Sequence, residues 1–158
     1  MERKTDYKQR LKLLKSRKPR LVVRKSLKYV TAQIIQFDKK GDKTLTSASS
    51  KELKKDNWKF ATDNLPASYL TGLLIGKRAK EKGISESVLD VGLHTSSKGS
   101  RIYAVVKGAV DAGLKIPTDE SVFPSEDRIF GKHIANYSQK FSDFPKEFEK
   151  IKQKIIGG

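Results

Sequence analysis

Twelve Lys and Arg lie within residues 1–28, namely Arg3, Lys4, Lys8, Arg10, Lys12, Lys15, Arg17, Lys18, Arg20, Arg24, Lys25 and Lys28, against only Glu2 and Asp6. Cations spaced every few residues do one kind of chemistry well, which is to neutralise a polyanion. The mixture of types matters: a guanidinium grips phosphate through two parallel hydrogen bonds and stacks flat on unpaired bases, whereas an ammonium acts as a point charge. Tyr7 and Tyr29 add rings on which an unpaired base can stack, and Ser26 adds a hydroxyl. A second group, Thr95, Ser96, Ser97, Lys98, Gly99, Ser100 and Arg101, joins hydroxyl donors and two cations to a glycine that permits close backbone approach. Both groups are read as phosphate- and base-contacting residues. If about 6 to 10 phosphates are neutralised, affinity falls by several powers of ten between low and moderately high salt.

Other chemistries find little support. The chain has 158 residues, with 34 Lys plus Arg against 18 Asp plus Glu, a formal net charge of +16. Residues 29–100 carry a net +4 and residues 101–158 a net +2, so the excess belongs to the N-terminus. Zero Cys and two His, His94 and His133, leave no disulfide framework, thiolate metal site or zinc finger. Neither a dinucleotide-binding glycine pattern nor a phosphate loop nor a nucleophile elbow occurs, and His133 has no Ser or Asp partner on its own helix. No cofactor, metal or small-molecule substrate is expected. No apolar run approaches the roughly 20 residues needed to cross a bilayer, and the charged N-terminus is unlike a signal peptide, so a soluble, unprocessed protein is expected. The bland alternatives for the basic segment are a solvated arm, a nuclear-import signal or a membrane-surface patch.

The elements that position these residues follow from hydrophobic period and turn chemistry. A short basic helix is predicted over about 5–15, ending before Pro19, whose ring disfavours helix at Lys18. Ten excess positive charges in 28 residues repel, so the arm is expected to be disordered alone and to fold on its partner. Leu21–Ser26 and Tyr29–Phe37 are β-branched runs that read as a hairpin, and a turn at Asp38–Asp42 leads to a third strand over Thr44–Ala48. Ser49–Asn64 reads as irregular. Pro66 opens a helix that Gly83 closes, and the Gly72/Gly76 spacing lets that helix approach a sheet closely. Val88–Leu93 reads as a strand. Ser100 is a predicted N-cap for a helix with Ile102, Val105, Val106, Ala109 and Val110 on one stripe, ending at Gly113. Further helices are predicted over about Ser125–Ser138 and Asp143–Ile156.

The order is β-β-β-α-β-α with a helical tail: an α/β fold with one mixed sheet covered by helices. Three regions follow, a basic arm over residues 1–20, a mixed-sheet core over 21–114 and a helical C-terminal extension over 115–158.

Several stretches resemble the large-subunit ribosomal protein eighteen family in its archaeal form, the counterpart of the eukaryotic large-subunit protein five. They include Thr5-Asp6-Tyr7-Lys8-Gln9-Arg10, Arg20-Leu21-Val22-Val23-Arg24-Lys25-Ser26, Ala32-Gln33-Ile34-Ile35 and Tyr69-Leu70-Thr71-Gly72-Leu73-Leu74-Ile75-Gly76. Leu89-Asp90-Val91-Gly92-Leu93, Lys107-Gly108-Ala109-Val110-Asp111-Ala112-Gly113-Leu114 and Phe123-Pro124-Ser125-Glu126-Asp127-Arg128 continue the match in order. The resemblance implies a ribonuclease-H-like sheet and a structural, non-catalytic role. It implies a cytoplasmic ribosomal protein of the central protuberance that binds 5S rRNA and attaches it to the large-subunit rRNA, beside a neighbouring 5S-binding ribosomal protein. It also implies that the basic N-terminus, the first strand and the loop at Thr95–Arg101 touch 5S rRNA. Phe60 and His94 depart from the family pattern.

Two rival functions remain in view. A general basic nucleic-acid-binding protein would share the charge but favour duplex DNA. A ribonuclease-H-like nuclease would need several carboxylates converging on two metal ions. The first strand has none, and Asp90 alone cannot hold two metals; it is expected to be a satisfied polar group bonded to backbone or an Arg.

Overall fold

The computed structural model describes residues 5–158. Four strands, β1 (Arg20–Lys25), β2 (Val30–Gln36), β3 (Lys43–Ser49) and β4 (Val88–Asp90), form one mixed sheet in the order β3-β2-β1-β4. The first three make the antiparallel meander that the turn residues predict, and β4 lies parallel to β1, with Arg20 opposite Val88 and Val22 opposite Asp90. A parallel neighbour needs a crossover, and α2 (Leu65–Glu81) supplies it. β4 stops at Asp90, short of the expected Leu93. Its carboxylate accepts the Gly92 N–H at 2.9 Å, and Gly92 turns the chain away at φ +58°.

Alternation along β1 and β2 decides which way each residue faces. Leu21, Val23, Val30, Ala32 and Ile34 are fully buried against α2 and α3 (Arg101–Asp111). The two helices pack in close contact. A Cβ at Gly72 would overlap the Val105 carbonyl, and one at Gly108 would overlap the Tyr69 carbonyl. The small-residue stripe thus serves a helix-helix contact rather than the expected helix-sheet one. Tyr69 Oη donates to Asp111 across the pair at 2.7 Å.

The other side of α2 is covered by the C-terminal helix, labelled α6 (Phe144–Gly157). Its stripe Phe144, Phe148, Ile151 and Ile155 packs with Leu70, Leu73, Leu53 and Trp58 in a second apolar cluster. The stretch read as irregular is in fact built: Ser50–Asp56 is a 3-10 helix, and Ser49 and Glu52 close a reciprocal capping box at its start. That turn carries Leu53 and Trp58 inward, and Trp58 Nε1 donates to the Ala61 carbonyl at 3.0 Å. Phe60, one of the two departures, joins this cluster with its ring centroid 4.5 Å from that of Phe144. The single helix expected over Ser125–Ser138 is two, α4 (Glu126–Ile129) and α5 (Lys132–Tyr137). Gly131 breaks it at φ +70°, in a spot where any Cβ would run into the Phe144 ring.

Candidate nucleic-acid interface

The face of the sheet opposite the helices is polar. Arg20, Val22 and Arg24 alternate onto it, and Arg20 and Arg24 enter a ladder of alternating charge. Arg10 pairs with Asp42 at 2.9 Å, Asp42 with Arg20 at 2.6 Å, Arg20 with Asp90 at 2.6 Å and Asp90 with Arg24 at 3.5 Å. Arg24 also donates to the backbone carbonyl of Asp90 at 2.9 Å. Asp90 is therefore the satisfied carboxylate that its lone position suggests: Arg20 and Arg24 and the Gly92 N–H hold its two oxygens. Arg20 and Asp90 are the ladder's buried pair, at 5% and 8% side-chain exposure, so removing either leaves the other short of its close partner away from solvent. Arg20 is only 4% exposed, so among the candidate phosphate contacts it acts within the sheet rather than on a surface. The ladder lines a polar cleft of about 330 Å³ between the sheet and the arm.

The arm contains α1 (Tyr7–Leu14), in the place of the short basic helix predicted over about 5–15. The physical reason is local: Asp6 caps the helix by accepting the Gln9 N–H at 3.0 Å, and Arg10 and Lys18 tie the segment to Asp42 and Glu86. No α1 side chain is buried. Tyr7 is 71% exposed, and Lys8, Lys12, Lys15 and Arg17 are exposed or half-buried with no ion pair among the described residues. Arg3 and Lys4 lie outside the described residues.

Beyond β1 the hairpin tip is held by Ser26, whose Oγ accepts the Tyr29 N–H at 3.0 Å. Tyr29 is half-buried with Lys51 Nζ 5.8 Å from its ring centroid, and Lys28 is exposed. Lys25 donates its backbone N–H to His94 Nε2 at 3.4 Å. Burial and the neighbouring positive charges of Arg24, Lys25 and Arg101 hold the His94 pKa below its ordinary value.

The loop from Thr95 to Arg101 is more internally bonded than its composition suggests. Ser96 Oγ is 2.5 Å from Tyr103 Oη, and Gly99 donates its N–H to Val122 at 2.8 Å. Ser100 takes the N-cap backbone geometry, but its buried hydroxyl caps nothing. Arg101 donates to the carbonyls of Ser26 at 3.2 Å and Asp63 at 2.9 Å, drawing this loop to the hairpin tip. Thr95, Ser97 and Lys98 are left exposed. The sequence reading missed the ladder and the lysines beside Tyr29. The alternation of Arg20, Val22 and Arg24 does place the two arginines on one face, but Asp42 is legible only as a turn residue.

A family model described as the ribosomal large subunit proteins 60S L5 and 50S L18 matches residues 1–86 and 79–119, which together span 119 of the 158 residues. The chain belongs to that family. It is a structural constituent of the large subunit of the cytoplasmic ribosome, a ribonucleoprotein component of translation that binds rRNA.

Proposed function

We propose that the protein binds 5S rRNA and attaches it to the large-subunit rRNA in the central protuberance, beside a neighbouring 5S-binding ribosomal protein. The observation that supports this most is the exposed α1: a capped helix with no buried side chain that displays Tyr7, Lys8, Lys12 and Lys15. With Arg3, Lys4, Arg10, Arg17 and Lys18 it forms the attracting arm. Arg24, Lys25, Ser26, Lys28 and Tyr29, with the loop from Thr95 to Arg101, set the register on folded RNA. Arg20 belongs to the scaffold that aims them. The core works as a ribonuclease-H-like platform without catalysis, since the oxygens of Asp90 are taken by Arg20, Arg24 and a backbone N–H.

Competition between 5S rRNA and duplex DNA of equal length tests the reading. 5S rRNA is expected to win by orders of magnitude, because RNA recognition uses splayed loops, 2′-hydroxyls and stacking that a duplex does not offer. Equal affinity would favour a general basic nucleic-acid-binding protein. Replacing Lys98 and Arg101 together with Ala is expected to lower affinity and reduce the magnitude of the salt slope by about one to two units.

A further inference from the structure

The tip of the β1–β2 hairpin, Lys54 and the segment Ala61–Asp63 border an open groove of about 210 Å³. Leu27, 91% exposed, and Tyr29 both line it. The walls are fixed from several directions. Thr62 Oγ1 donates to the Lys28 carbonyl at 2.9 Å, Trp58 anchors the Ala61 carbonyl, and Arg101 ties Ser26 to Asp63. The site is thus shaped before any ligand arrives, which lowers the ordering cost of binding.

Its charges are arranged for a nucleotide. Lys28 and Lys54 line it and Lys51 lies over Tyr29, and none of the three is in an ion pair among the described residues. Asp63 lines the same groove, and among the described residues its carboxylate accepts no hydrogen bond and enters no ion pair, although its backbone carbonyl is engaged by Arg101. An acid within a phosphate-seeking patch weakens phosphate binding unless it meets donors of its own. Ionised, it is an acceptor only, with two oxygens side by side. Guanine offers the matching pair of donors, N1–H and N2–H, on its Watson–Crick edge, whereas uracil offers one.

We propose that this groove receives one extruded nucleobase of the RNA, with guanine preferred. Leu27 and Tyr29 contact the base face, Lys28 and Lys54 hold the flanking phosphate, and Asp63 reads the edge. The inference rests on the RNA-binding reading above and adds to it a base-reading subsite and the residue that sets its preference.

Titration of the full-length protein with GMP and with UMP, followed by amide chemical shifts, tests it directly. GMP is expected to move the signals of Leu27, Tyr29 and Ala61–Asp63 and to bind roughly tenfold more tightly than UMP, the scale of one bidentate contact. Asp63→Asn, which keeps the side-chain volume, is expected to retain the native spectrum and reduce that preference to within about twofold. Leu27→Ala weakens both nucleotides alike. Equal binding of GMP and UMP by the unaltered protein, shifts confined to other residues, or a preference that survives in Asp63→Asn would each overturn the proposal. The functional reading fails separately: an unaltered chain that ignores 5S rRNA refutes that reading whatever the mononucleotides do.

Discussion

The two long-range ends of the chain carry similar helices in opposite situations. α1 and α6 are both rich in lysine with scattered large apolar residues, yet α6 buries four of them and α1 buries none. Spacing accounts for the difference. Phe144, Phe148, Ile151 and Ile155 recur at i, i+4, i+7 and i+11 and form one stripe, whereas Leu11, Leu13 and Leu14 crowd one end of a two-turn helix. Each fully buried large side chain of α6 contributes about 1.5 to 3 kcal/mol. α1 depends on a cap and on ion pairs at least partly open to solvent, which typically contribute about 1 kcal/mol or less each. A helix held by the core serves the fold; one held by surface charge leaves its other cations for a partner.

Breaking α6 should therefore have the largest effect on folding. Phe148→Ala, at a site with 0% exposure, is expected to lower the unfolding free energy by about 3 to 5 kcal/mol in a urea titration, while RNA affinity measured where the variant is still folded changes little. A loss below 1 kcal/mol would mean that α6 is merely laid on the surface. The arm should behave in the reverse way. Deleting residues 1–18 is expected to shift unfolding by about 1 kcal/mol, because among the described residues of the arm no side chain of α1 is buried and the ties to the core are partly exposed ion pairs, Arg10–Asp42 and Lys18–Glu86. The same deletion is expected to weaken 5S rRNA binding at least a hundredfold, about 2.7 kcal/mol, and to flatten its salt dependence. Unchanged affinity on removing the arm would erase the contrast.

The same difference explains what was legible in the sequence. Strands with alternating β-branched residues and helices with complete stripes were readable, since burial on one face writes a period into the chain: β1, β2, α3 and α6 all appear within a residue or two of their predicted places. What escaped depends on contacts between distant residues. The break at Gly131 is decided by a ring thirteen positions later, and the 3-10 helix at Ser50–Asp56 is stabilised by burying Leu53 and Trp58 in a cluster that α6 completes. Its capping box, Ser49 with Glu52, was visible but had no apolar period beside it. Among candidate contacts, residue type revealed charge but not availability. Arg20 and Lys12 look alike in the sequence, yet one is locked between Asp42 and Asp90 and the other stands in solvent.

The smallest expected effect separates core from arm by pH. His94 accepts a backbone hydrogen bond from Lys25 through the nitrogen that a proton would occupy, and burial together with Arg24, Lys25 and Arg101 lowers its pKa in the folded chain. In the unfolded chain it returns to about 6.5. The unfolded state thus binds more protons in the interval just below 6.5, so this group's contribution is complete above that value and is lost as the pH falls toward the folded pKa. Carboxylates act mainly below this window, their contributions being lost from about pH 5 downward. Glu52 feels burial pushing upward but is carried below its ordinary value by Arg78, and Asp38 is lowered by the Lys40 N–H and by Lys43. A modest fall in the urea midpoint between pH 7 and pH 5 is expected for the unaltered protein and for the chain lacking residues 1–18, because His94 belongs to the core. His94→Gln should flatten it. A slope that persists in His94→Gln would remove His94 as its source, and one that vanishes with the arm would assign the effect to α1 and undo the division between a helix serving the fold and a helix serving RNA.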